Sequence, residues 1–173
     1  MMISSIAVLF LLSSWNMWRG NETRTGYASG ISNFSTSFPG LLSHWETEAG
    51  DIRAAPLLHD EDLDGMEDIY ISGYDGTAPS VSLYRGYDAM LLWQTGADGF
   101  VAWSTPALLD VDSDGHPEVF VGFHDRGLTC YNGANGNAIW SVDLDTFFCS
   151  SPLAFFDPAG SPRLAVAGNS GTI

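Results

Sequence analysis

Apolar and polar positions alternate along most of this chain in short runs, broken at close intervals by Gly, Asp, Asn or Pro. A period of two marks strands rather than helices, and no segment keeps a 3.6-residue period over three turns. Two runs, 68–72 and 118–122, are apolar on both faces. Ile69 and Ile71 point one way and Tyr70 the other; Val119 and Val121 point one way and Phe120 the other. Such strands are predicted to lie in sheets covered on both sides. Each follows a strand near 54–58 or 104–109 and precedes a third at 82–85 or 128–131. Turns at Asp75-Gly76 and from Asp125 to Gly127 join the second strand to the third. Another Gly-containing turn leads into a fourth strand, ending at Trp93 or Trp140.

The four-strand pattern repeats. Trp45, Trp93 and Trp140 are 48 and 47 residues apart, and Pro56, Pro106 and Pro152 are 50 and 46 apart. Around the prolines the text aligns as AAPLLHDEDLDG, STPALLDVDSDG and SSPLAFFDPAG. Four-stranded units recurring at about fifty residues and stacked face to face are propeller blades. The predicted fold is therefore all-β, an incomplete β-propeller with two full four-stranded antiparallel blades, 45–92 and 93–139. A third, 140–173, is truncated. Closed propellers have about four to eight blades, so the expectation is an N-terminal piece of a larger ring whose remaining blades lie in the parent chain.

The turn between the first two strands of each unit carries the candidate chemistry. Asp60, Asp62, Asp64 and Asp68 recur as Asp110, Asp112, Asp114 and Glu118, with Gly65 and Gly115 between the third and fourth acids. Calcium takes six to eight oxygens at about 2.3–2.6 Å, and alternate side chains of a curled loop can converge on one point. By analogy with known calcium loops, the carbonyls of Met66 and His116 would add a ligand. An EF-hand does not fit, because its closing glutamate would fall on Ile71 and Val121. In the third unit only Asp157 remains and Arg163 stands where Asp68 and Glu118 stood, so no metal is predicted there. Rigidity from Pro158 and Pro162 is expected to hold that turn instead.

Charge narrows the partners. The net charge is −15 with no lysine, which disfavours nucleic acid and excludes a Walker-type phosphate loop. The apolar run 6–12 is too short to span a bilayer and fits the core of a secretory signal over 1–14. No basic residue precedes that run and no A-x-A site follows it. Residues 15–44 form a leader, and PGLLSHW reads as a strand that could close the ring. Asn21 and Asn33 begin glycosylation triplets. Cys130 and Cys149 have no CxxC neighbour and sit in apolar contexts. They are predicted as buried free thiols, although an even count also permits one disulfide.

The stretch STPALLDVDSDGHPEVFVGFHDRGLTCYNGANGNAIW resembles the FG-GAP or VCBS type of β-propeller repeat. Its YNGANGNAIW portion also resembles the tryptophan-docking repeat of pyrroloquinoline-quinone-type propellers, and the leader WNMWRGNETRTGY is similar to the segment before their first blade. The resemblance covers roughly residues 15–173. It implies that the Asp loops bind calcium and that Trp93 and Trp140 wedge between adjacent blades. The degenerate third loop and the insertion YDGTAPSVS depart from the pattern.

No G-x-S-x-G, H-E-x-x-H or G-x-G-x-x-G occurs. His44, His59, His116 and His124 form no ligand spacing; His59 and His116 lie beside the loops and are expected to orient the turns. The leading expectation is a secreted or cell-surface, calcium-stabilised, non-catalytic module for binding, adhesion or scaffolding, with an extracellular protein or glycan as partner. The alternative is the N-terminal part of a propeller enzyme, a quinoprotein dehydrogenase or a polysaccharide-degrading one, with active residues beyond Ile173.

Overall fold

The structure is a computed structural model that describes residues 52, 54–74, 79–96, 104–124, 127–144 and 150–168. The signal and leader segments, PGLLSHW, Trp45, His44, both glycosylation triplets, Cys149 and the turns at Asp75-Gly76 and Asp125 lie outside the described residues. The described strands are β1 Leu57–His59, β2 Asp68–Tyr74, β3 Pro79–Tyr84, β4 Leu91–Gly96 and β5 Ala107–Leu109. They continue as β6 Glu118–Phe123, β7 Gly127–Tyr131, β8 Ala138–Val142, β9 Leu153–Phe156 and β10 Pro162–Ala165. No helix occurs among the described residues. The chain is all-β, with two four-stranded antiparallel sheets in sequence order, β1-β2-β3-β4 and β5-β6-β7-β8, and a hairpin of β9 and β10.

The two sheets repeat each other in detail. The register slips between Leu83 and Tyr84 in one, and between Cys130 and Tyr131 in the other. The turn after the slip closes alike in both, by Arg85 N to Met90 O at 2.8 Å and by Asn132 N to Asn137 O at 2.9 Å. In that turn Gly86 and Gly133 lie against the carbonyls of Glu67 and Pro117, so closely that an added Cβ would overlap them.

β2 and β6 are buried along almost their whole length, with packed apolar side chains on both faces of each strand. Tyr70, Leu57, Val81, Leu83 and Trp93 of the first sheet share one core with Leu108, Val119, Val121, Phe123 and Tyr131 of the second. Ile69, Ile71 and Tyr84 form a separate cluster. Phe120 and Cys130 join Ala107, Ala154 and Leu164, toward the β9–β10 hairpin. The alternation read along 68–72 and 118–122 is therefore the actual division between layers. The Cys130 thiol is buried and free, and burial pushes its pKa up to about 12.

A polar relay runs alongside this apolar stacking. Ala55 N donates to Thr105 Oγ1 at 3.1 Å, and Thr105 N donates to Ser151 Oγ at 3.1 Å. Both donors and both acceptors precede the landmark prolines, so the first unit bonds to the second as the second bonds to the third. Ser72 Oγ adds a bond to Ser104 O at 2.8 Å. Trp93 also crosses: its indole N–H donates to Gly133 O at 2.6 Å, and its ring meets Tyr70 edge-on at 5.9 Å.

Several predicted boundaries differ. β4 and β8 run on to Gly96 and Val142, so the borders drawn at 92/93 and 139/140 fall inside strands. Gln94 and Thr95 still pair with Ser82 and Val81, but this stretch lies near the surface and carries no apolar signal. β1 and β5 start later than predicted, after Pro56 and Pro106, which have no N–H to give a ladder.

Candidate metal centres

The loop 60–67 joins β1 to β2, and the loop 110–117 joins β5 to β6. Both coil by the same bonds. Asp60 accepts from Asp64 N at 3.0 Å and Gly65 N at 2.9 Å; Asp110 accepts from Asp114 N at 3.2 Å and Gly115 N at 3.1 Å. Asp62 and Asp112 each accept from the amide two residues on, at 3.2 Å. Asp64 and Asp114 do the same for Met66 N and His116 N, at 2.8 Å. Short Asp side chains turned back on their own backbone make such a coil without help from distant residues. Leu63 and Ser113 take φ of 58° and 63°, and Gly65 and Gly115 take 88° and 91°. The glycines meet nothing within 4 Å of an added Cβ, so their role here is the left-handed backbone and not space.

The coils gather carboxylates. Oxygens of Asp60, Asp62 and Asp68 all lie within 4.8 Å of one another, as do those of Asp110, Asp112 and Glu118. These six are the predicted first, third and ninth positions. Asp64 and Asp114 stand outside the groups, each holding the following turn. In the third turn Asp157 accepts from Ala159 N and Ser161 N at 2.9 Å and pairs with Arg163 at 2.8 Å. That turn is thus held by an ion pair and amide bonds, with Asp157 at their centre, rather than by proline rigidity alone.

The closing acids are buried. Asp68 is fully buried and accepts from Glu61 N at 3.1 Å and Gly86 N at 2.9 Å. Burial nevertheless pushes its pKa up to about 6. Burial likewise raises Glu118, which accepts from Val111 N at 2.9 Å, and Glu67. Three oxygen donors in a tight group, one of them costly to ionise in place, suit a hard dication that would repay that cost.

A pH dependence follows. A carboxylate with a folded-state pKa above its unfolded value binds its proton more tightly when folded. In calcium-free buffer, stability should therefore rise as pH falls from about 6 to 4, and be lost again as pH climbs. For Asp68 the gain should be about 2 kcal/mol, after allowing for screening by the exposed loop around it. Asp88 and Asp157 shift the other way and lose their contribution only as pH falls below about 4. With saturating calcium, protons compete with the cation, so the calcium increment should shrink over the same window. Urea unfolding at pH 7, 6 and 5, with and without calcium, checks both signs. A calcium-free protein that weakens from pH 6 to 5 would contradict the assignment.

One residue escaped the sequence reading. Glu61 is buried between Asp60 and Asp62, accepting Tyr70 O–H at 2.5 Å and the His116 Nδ1–H at 2.7 Å. His59 Nε2 lies 3.8 Å from the same carboxylate. His116 therefore does more than orient its own turn, since it reaches into the other loop. The repeat pattern hid this link, because Glu61 aligns with Val111 and His116 with Met66. Comparison with protein-family models, with curated proteins and with solved structures gave no match. No helix among the described residues is long and apolar enough to cross a membrane.

Proposed function

We propose that this chain is a calcium-stabilised part of a β-propeller. Each loop holds one ion, and the exposed loop face serves as a non-catalytic binding or scaffold surface of a secreted protein. The observation that carries the reading is the matched coiling of two loops, each gathering three carboxylates at the same point of successive sheets. The relay through Thr105 and Ser151 supports blades in regular succession. Asp60, Asp62 and Asp68 hold the first ion; Asp110, Asp112 and Glu118 hold the second. Asp64, Asp114 and the carbonyls of Met66 and His116 complete the shells. The cation supplies charge neutralisation and a fixed loop shape. The partner is an extracellular protein or glycan, read by exposed loop residues such as Leu63.

Calcium should raise stability by RT ln(1 + [Ca]/Kd), about 2.7 kcal/mol per site at a hundredfold excess over Kd. Asp62→Ala and Asp112→Ala should each remove one site's share, and magnesium should substitute poorly. Thermal melts in calcium and in chelator, with calorimetric counting of bound ions, test this. A melting temperature indifferent to calcium would refute it. Capture on immobilised glycans or matrix proteins should fail in chelator and return with calcium.

A further inference from the structure

The two loops touch each other through one polar contact that the repeat does not repeat. Glu61 belongs to the first loop: its N–H donates to Asp68 Oδ2 at 3.1 Å, and its neighbours on both sides are gathered acids. Its carboxylate, 5 % exposed, is fixed by Tyr70 O–H from β2 and by the His116 ring at 2.7 Å. A carboxylate only accepts, so Nδ1 carries the proton in this pair. His116 belongs to the second loop, and its own N–H donates to Asp114 Oδ1 at 2.8 Å. A continuous chain of bonds thus runs from Asp68 through the Glu61 backbone and side chain, across to the His116 ring, and on through its backbone to Asp114. The second unit offers nothing equivalent toward the third, since Val111 replaces Glu61.

We infer that Glu61 and His116 couple the two loops, so that ordering one by a bound cation prepares the other. The inference rests on the calcium reading of both loops. The first ion bears the cost of ordering its own loop and, through the contact, part of the other loop's cost. The second ion then meets a loop already partly ordered, which is positive cooperativity without a new ligand. The coupling is reciprocal: each loop raises the other's affinity by the same factor, here on the order of fivefold. Repulsion between two bound dications opposes it, so the sign is a real test.

Calcium titration calorimetry on the full chain decides. Asp112→Ala leaves the first loop alone, and its affinity should fall on the order of fivefold below its value beside an intact second loop. Glu61→Val and His116→Met give each loop the residue its counterpart already carries, and leave all six gathered acids in place. In either background the two loops should titrate independently, and adding Asp112→Ala should not weaken the first loop further. His116→Met leaves Glu61 bonded to Tyr70 and serves if Glu61→Val fails to fold. Two ions bound independently by the parent protein, or anticooperatively, would overturn the coupling and leave the calcium reading standing. No calcium uptake by the parent protein would overturn both.

Discussion

Replacing Trp93 with alanine should destabilise the protein by about 4 kcal/mol, whereas the same change at Trp140 should cost less than about 1 kcal/mol. The two residues align in the repeat but not in their surroundings. Trp93 is 8 % exposed, and Trp140 is 41 % exposed. The Trp93 ring lies over the turn 132–137, where a Cβ on Gly136 would come within 2.6 Å of its Cε3. Its N–H is satisfied by Gly133 O, and its edge faces Tyr70. Truncation would open a cavity where two sheets meet and leave the Gly133 carbonyl unpaired. Trp140 leans on Phe120 at 6.0 Å, and its strand β8 is exposed throughout. Urea unfolding of the two variants measures the contrast. Equal losses would mean that Trp93 does not join the sheets.

Gly86→Ala should cost about 3 kcal/mol, against about 1 kcal/mol for Gly65→Ala. A Cβ at Gly86 would overlap the backbone carbonyl of Glu67, which has no flexible end to move aside. The turn must shift, and the shift pulls Gly86 N away from buried Asp68, whose other oxygen holds Glu61 N. Gly65 has open space and carries only the strain of a left-handed backbone at φ 88°. The Gly86 variant should also bind calcium more weakly at the first loop. Unfolding curves in calcium-free buffer separate the packing cost from the ligand cost. A Gly86 variant as stable as the parent would show that the turn relaxes freely.

What the sequence made legible was whatever the repeat states twice. Strand order, the two-sided burial of β2 and β6, and the convergence of the acids at positions one, three and nine all follow from aligned text. The ends of β4 and β8 were missed because their last residues bury little apolar surface, even where Ser141 meets Thr129 hydroxyl to hydroxyl at 3.1 Å. Asp64 and Asp114, read from sequence as ligands beside the others, lie outside the tightest carboxylate groups and accept from the amides of Met66 and His116. Glu61 and His116 were invisible for the opposite reason. Their contact joins positions that differ between units, and a consensus discards differences. Asp157 and Arg163 could have been paired from sequence, since the cation side chain replaces the very acid that a metal would have required.

The relay from Ala55 through Thr105 to Ser151 has a direction. The first two units each give an amide forward, and the second and third each present a hydroxyl backward, so the two sides of a junction are complementary rather than alike. A second copy of the middle module would keep every such junction matched, whereas a copy of the first would set Ala55 where a hydroxyl must accept. Gene duplication in steps of a single module could lengthen this architecture without inventing a new interface.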